Sequence, residues 1–166
     1  MIFGWAHALI LLVALQRLGE LMYARRNTAA LLARGARETG AEHYPLMVLL
    51  HGGWIVALFL LTDANPAPQW LWLVLFLVCQ GLRGWILASL GPYWTTRIIT
   101  LEGAPPVRSG LYRYVRHPNY LVVAIEIPTL PLALDMPKTA LVFGVLNLAL
   151  LAYRISIENA ARQALG

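Results

Sequence analysis

Ser109-Gly110-Leu111-Tyr112-Arg113-Tyr114-Val115-Arg116-His117-Pro118-Asn119-Tyr120 is a basic, aromatic loop that runs directly into a long apolar segment. Pro118 suits the first position of a helix, because its missing N–H costs nothing there and its φ is already helical. His117 then takes the N-cap. A helix start carries unpaired N–H groups and a partial positive charge, so one placed where membrane meets water suits an anionic or polar ligand group. Taken residue by residue, the same stretch reads as an interfacial anchor, since Arg, Tyr and His are common at headgroup level.

Outward from this loop the chain is apolar in both directions. Of 166 residues, 59% are hydrophobic and 13% charged, which is too apolar for an ordinary soluble domain. A helix satisfies its own backbone in lipid, so the expected fold is all-α: a polytopic membrane bundle of about five transmembrane helices under a short hairpin or loop cap. Residues 1–166 make one domain, with little left for a soluble one. The N-terminus lacks a basic n-region and a small-residue cleavage site, so the first apolar stretch is expected to be a retained span. Twelve Arg, one Lys and a formal charge of +5 make the chain basic. These cations cluster in two loops beside spans, as membrane topology requires, which argues against nucleic-acid binding. Cys79 is the single cysteine, which excludes an intrachain disulfide and a Cys-based metal site.

The spans are expected at 2–23, 46–61, 70–90, 118–134 and 139–157. Arg17 and Glu20 share a face with Gln16 near the inner end of the first. They read as an ion pair snorkelling at the interface or, alternatively, as a polar lining for a headgroup-sized substrate. Residues 24–35 suggest a short amphipathic helix on the membrane surface, ended by Gly35. Glu38, Glu42 and His43 follow in a polar loop; their spacing fits no standard metal pattern, so the expectation is a solvated loop and no metal. In the second span, Gly52 and Gly53 serve close packing, while His51 bonds across helices or faces a cavity. Gln80, Arg83 and Gly84 interrupt the third, and a buried Arg must pair, snorkel or face a polar cavity. Residues 94–100 have the β-branched density of a strand, with a return strand from Val107 closing a hairpin. Glu126, Pro128 and Pro131 lie in the fourth span, and the two prolines free backbone carbonyls for neighbours. Arg154, Glu158 and Arg162 form a stripe at four-residue spacing after the fifth.

Loop charge predicts the orientation. The loops after the first and third spans each hold four Arg, whereas the two opposite loops share only Lys138. By the positive-inside rule the N-terminus lies outside and the C-terminus in the cytoplasm.

The run Gly-x-Tyr-x-x-x-Arg-His-Pro-x-Tyr over 110–120 resembles the signature of the isoprenylcysteine carboxyl methyltransferase family, and the resemblance is strongest over 94–162. It implies an integral membrane enzyme that uses S-adenosylmethionine and releases S-adenosylhomocysteine. Family members also carry Arg-x-x-x-Glu-Glu in the last helix; here Arg154 and Glu158 match, and Asn159 replaces the second acid. The resemblance implies a cofactor pocket from Tyr112, Arg116, His117, Pro118, Asn119, Tyr120, Arg154 and Glu158, with His117, Glu158 and Arg154 as catalytic candidates. Without the resemblance, Arg154 and Glu158 read as an i,i+4 surface ion pair. More loosely, Arg-x-x-Glu-Leu over 17–21, Gly-Ala-x-Glu-x-Gly over 35–40 and His-Tyr-Pro over 43–45 resemble a bacterial branch, some members of which methylate alkylpyrone- or alkylresorcinol-type lipids.

The chemistry of the residues agrees with such a site. The cofactor offers an ammonium, a carboxylate, a ribose diol and an adenine ring, and calls for a carboxylate, a cationic or N–H donor and an apolar slot. Methyl transfer to a neutral or anionic oxygen destroys the sulfonium charge, so a water-poor membrane site favours it. Arg17, Glu20, His51 and Arg83 are the candidates for binding a lipophilic or prenylated acceptor entering from the bilayer. A carboxylate acceptor needs no base; a phenol or enol needs one, for which His117, Glu158 and His51 are candidates. Two other classes remain open from sequence: a small transporter or channel lined by Arg17, Glu20, Arg83 and Glu126, and an NADPH-dependent lipid reductase in a similar bundle.

Overall fold

The computed structural model describes residues 3–103, 109–115 and 117–163, the side chains of 162 and 163 excepted. Five helices follow in order: α1 (Trp5–Ala33), α2 (Tyr44–Leu61), α3 (Trp70–Leu90), α4 (Pro118–Ala133) and α5 (Pro137–Gln163). The protein is an all-α helix bundle, and the segments Trp5–Ala33, Ala41–Leu61, Trp70–Tyr93 and Pro137–Ala161 are long and apolar enough to cross a membrane. Their outward faces carry exposed Leu12, Leu15, Leu49, Leu71, Leu141 and Val145, the surface expected of a protein solvated by lipid.

The first helix departs from expectation. A span and a separate surface helix were predicted, but α1 is continuous over 29 residues. At 1.5 Å per residue it is about 44 Å long and outruns the hydrocarbon core, carrying Arg25 and Arg26 beyond the predicted span. The composition changes at Ala24 without any residue that breaks a helix. The helix ends as predicted beside Gly35, which has φ +89; the N–H groups of Arg34, Gly35 and Ala36 return to the carbonyls of Leu31 and Leu32.

The strand predicted within 94–100 forms. Ile98–Thr100 is a strand, β2, but its described partner is β1 (Arg37–Thr39), antiparallel, with Glu38 opposite Ile99. Arg97 donates to both carboxylate oxygens of Glu38 at 2.7 and 2.9 Å and lies over the Tyr44 ring at 4.3 Å. The loops after α1 and α3 are therefore stitched together at one end of the bundle. Val107, Arg108 and Arg116 and the Arg162 side chain, which figured in the predicted hairpin, loop charge, cofactor pocket and stripe, lie outside the described residues.

The short helix α4 is the inner one. Its 16 residues span about 24 Å, and Val122, Val123, Glu126, Ile127, Leu130 and Ala133 are all buried. Pro131 has no N–H to offer the carbonyl four residues back, that of Ile127. The buried Trp54 indole donates to that carbonyl at 3.1 Å, which ties α2 to α4. Lipid gives helices no hydrophobic reason to associate, so such polar ties and close packing must hold the bundle. At the opposite end the Gln69 N–H donates to Ala133 O, and the Ala6 N–H to Ala64 O.

Candidate functional site

Pro118 opens α4 and His117 is its N-cap residue, as the sequence predicts, and the His117 carbonyl receives the N–H groups of Tyr120 and Leu121. The turn places the His117 ring face to face on Tyr120, with centroids 5.3 Å apart and planes 11° from parallel. Tyr120 then joins α4 to α5. Its hydroxyl donates to Glu158 Oε2 at 2.6 Å and accepts from Arg154 Nε at 2.8 Å. The expected i,i+4 pair is thus bridged by a hydroxyl, and Arg154 is buried rather than on the surface. His117 Nδ1 lies 3.9 Å from Glu158 Oε1.

Two residues of this group escaped the sequence reading. His43, assigned to a solvated loop, is 2% exposed. Its Nε2 lies 3.3 Å from Arg154 Nη1, and because a guanidinium can only donate, the imidazole nitrogen accepts. Met47, one turn further along α2, touches the same guanidinium through its sulfur. Among the remaining predicted cofactor residues, Pro118 is buried at the helix start. Tyr112 packs against the apolar core around Cys79, Ile86 and Trp94. Asn119 turns toward a cavity, and its Oδ1 is buried with no hydrogen-bond partner among the described residues.

That cavity, about 460 Å³, is what unites the site. Asn119, Tyr120 and Arg154 line it, and so do Arg17, Glu20, His51 and Arg83. Residues nominated from sequence for two separate tasks therefore surround one space. Its side walls are Ala14, Leu18 and Leu21 of α1 and Val48, Gly52, Ile55 and Val56 of α2. Leu18, Val48 and Val56, among these lining residues, are each about half exposed. Trp94, Thr95 and Thr96 close it from the loop after α3.

The deep floor is ionic. Arg83 Nε donates to both Glu20 oxygens at 2.8 Å, and its Nη1 lies 3.3 Å from Glu126 Oε2. Arg17 reaches Glu20 at 3.0 Å and also bonds Glu126. Gln16 and Gln80 bond each other at 2.9 Å and complete the group by donating to Glu20 and Glu126. Two guanidiniums and two carboxylates balance, which is what allows charges to persist in so apolar a setting. The pair 17 and 20 on α1 and the pair 80 and 83 on α3 each share a helix face, and Glu126 supplies the α4 partner. Arg17 and Glu20 thus line the cavity and bond partners on α3 and α4 as well as each other. Glu126 and Gln80 were not nominated for the acceptor site. The signal available was an unpaired acid in a proline-containing span that needed a cation on another helix.

The fold and this constellation define an integral membrane helix bundle enclosing a largely apolar cavity with a few charged and polar groups in its wall. The chain belongs to the isoprenylcysteine carboxyl methyltransferase (ICMT) family, whose profile matches residues 72–164. Among curated proteins it is similar to the uncharacterized protein YpbQ of Bacillus subtilis, at 36% identity over 93% of this chain and 95% of the relative. An uncharacterized protein of Haemophilus influenzae is 30% identical over 82% of each chain. No solved structure matches. Family membership makes the protein a membrane methyltransferase in general terms.

Proposed function

We propose that this protein is an S-adenosylmethionine-dependent O-methyltransferase acting on a carboxyl or hydroxyl group of a lipophilic acceptor at the cytoplasmic face of a bacterial inner membrane. The observation that carries the reading is one cavity lined both by Asn119, Tyr120 and Arg154 and by apolar side chains of α1 and α2. A tail lying along those apolar side chains would leave the acceptor's oxygen facing the polar ones.

The residues around Tyr120 and Arg154 fit the cofactor's chemistry. The Asn119 Oδ1, buried and unpartnered, is an acceptor suited to an ammonium or an exocyclic amine. Glu158 supplies a second, anionic acceptor, and the Arg154 guanidinium a counter-charge for a carboxylate. Aromatic surface on His117 and Tyr120 suits a flat base or a sulfonium. S-adenosylmethionine, when bound, supplies an electrophilic methyl group; the protein binds, orients and keeps water out.

Titrating S-adenosylhomocysteine calorimetrically into detergent-purified protein tests the cofactor half. Transfer of labelled methyl to long- and short-tailed acceptors, at matched concentration within the membrane, tests the other. Binding together with a preference for tailed acceptors is expected. Absence of binding, or equal turnover of a tail-less water-soluble analogue, would overturn the corresponding half.

A further inference from the structure

Among the histidines at this end of the bundle, His51 differs in how its nitrogens are used. Its Nδ1 lies 2.8 Å from the carbonyl oxygen of Met47, one turn back on its own helix. A carbonyl can only accept, so Nδ1 carries the hydrogen. In the neutral ring this leaves the lone pair on Nε2, at the far side of the imidazole from the α2 backbone. The ring lines the cavity. His43, by contrast, gives its Nε2 to Arg154, and Glu158 already accepts the Tyr120 hydroxyl. His117 lies flat on Tyr120.

The surroundings of His51 suit a group that must gain a proton and then lose it. Arg17, Arg83 and Glu126 are within electrostatic range of the ring, and Glu20 lies between the two guanidiniums. Guanidiniums facing the cavity stabilise an oxyanion that develops there.

Resting on the methyltransferase reading above, we propose that His51 is the general base for a weakly acidic hydroxyl, a phenol or an enol, carried by the lipophilic acceptor. The acceptor's O–H bond breaks and its proton goes to His51 Nε2. The oxygen forms a bond to the methyl carbon of the sulfonium donor, and the C–S bond breaks with its electron pair remaining on sulfur. A methyl ether and a neutral thioether result, and His51 returns its proton to water as product leaves. A carboxylate acceptor would leave this nitrogen without a task. A simple alcohol is too weak an acid for an imidazole to ionise, whereas a phenol or enol lies within range.

The test compares wild type with His51→Gln, which keeps a polar side chain but removes the base. Without any methyl donor, a long-chain nitrophenol is added in detergent at a pH below that of its free ionisation. Wild type should bind it as the coloured phenolate, and His51→Gln should bind it as the neutral phenol. Equal phenolate in both would assign the ionisation to Arg17 and Arg83 and overturn the proposal. With donor, a series of ring-substituted long-chain phenols should show a roughly 10²–10⁴-fold loss in His51→Gln for the least acidic member, shrinking as acidity rises. A loss that is the same across the series would make His51 structural and overturn its role as base. Retained S-adenosylhomocysteine binding by the variant shows that the bundle is intact. Failure of wild type to bind that ligand or transfer methyl would overturn the methyltransferase reading and with it the transfer step. The nitrophenol measurement still decides whether His51 takes the proton.

Discussion

Replacing Arg83 by Met should destabilise the bundle far more than the loss of an ordinary ion pair. Arg83 holds Glu20 through Nε, with Nη2 2.6 Å from Oε2, and reaches Glu126 through Nη1. All three residues are under a tenth exposed. Without Arg83 the knot changes from two cations and two anions to one cation and two anions. One carboxylate is then left in an apolar interior without full compensation, a situation that costs about 3–5 kcal/mol. Removing Glu20 as well, as Glu20→Gln, restores neutrality through the Arg17–Glu126 pair. The double variant should therefore be more stable than the sum of the single effects predicts, by about 0.5–3 kcal/mol. Unfolding by dodecyl sulfate in mixed micelles, followed by circular dichroism, measures both quantities. Trp fluorescence adds a local signal, since the Arg83 guanidinium carbon lies 5.8 Å from the Trp94 ring centroid. A cost below about 1 kcal/mol for Arg83→Met, the range of exposed pairs, would refute the reasoning. Strict additivity in the double variant would refute it too.

Three further outcomes are expected. Glu158→Ala and His117→Ala should each weaken S-adenosylhomocysteine binding roughly ten- to a hundredfold, the cost of losing about 1.5–3 kcal/mol of charged hydrogen bonding, and unaltered calorimetric titrations would place the cofactor elsewhere. Gly40→Ala should lower both thermal stability and ligand affinity: Gly40 has φ +66, and an added Cβ would stand 2.7 Å from Ile157 Cγ2 and 3.0 Å from His43 Nδ1. The left-handed backbone alone costs an Ala about 1–2 kcal/mol, so a variant as stable as wild type would contradict this geometry. Reporter fusions after Asn65 and after Arg108 should fall on opposite sides of the membrane, with Arg108 cytoplasmic; the same side for both would sink the orientation.

What sequence could and could not show follows from the range of the interactions. The limits of α3 were legible because Pro66 and Pro68 precede it and Gly91 follows it, and a composition that is apolar throughout needs no partner to be recognised. The Pro118 helix start was legible for the same local reason. The β1–β2 pairing was not, since the local cue in Ile98–Thr100 names no partner and its described partner is some 60 residues earlier. His43 was misplaced because the neighbours Glu38 and Glu42 are polar, whereas its burial depends on Arg154, 111 residues away. Glu126 could be seen as an anomaly but not assigned. Only the packing of α1, α3 and α4 brings Arg17 and Arg83 to it.

The ionic knot and the proposed chemistry require the same thing of the bundle. Charges buried in an apolar interior persist only in balanced, hydrogen-bonded sets. A balanced set held rigidly between three helices is also an environment whose dipoles need not reorganise when charge moves nearby. In water, a sulfonium and an oxyanion are each stabilised by solvent that must be given up as they react. In the proposed reaction, the guanidiniums of Arg17 and Arg83 and the carboxylate of Glu20 along the cavity would take over part of that role. The His43–Arg154–Tyr120–Glu158 chain repeats the principle at the mouth, where His43 accepts from the guanidinium and a hydroxyl joins cation to anion. Since Met47 and His51 sit one turn apart on α2, they lie about 6 Å apart along the helix axis. The helix thus carries the Arg154 contact at one level and the candidate base at the next. In the proposed reading, α2 presents the contact to the cofactor-side guanidinium and the base for the acceptor on successive turns.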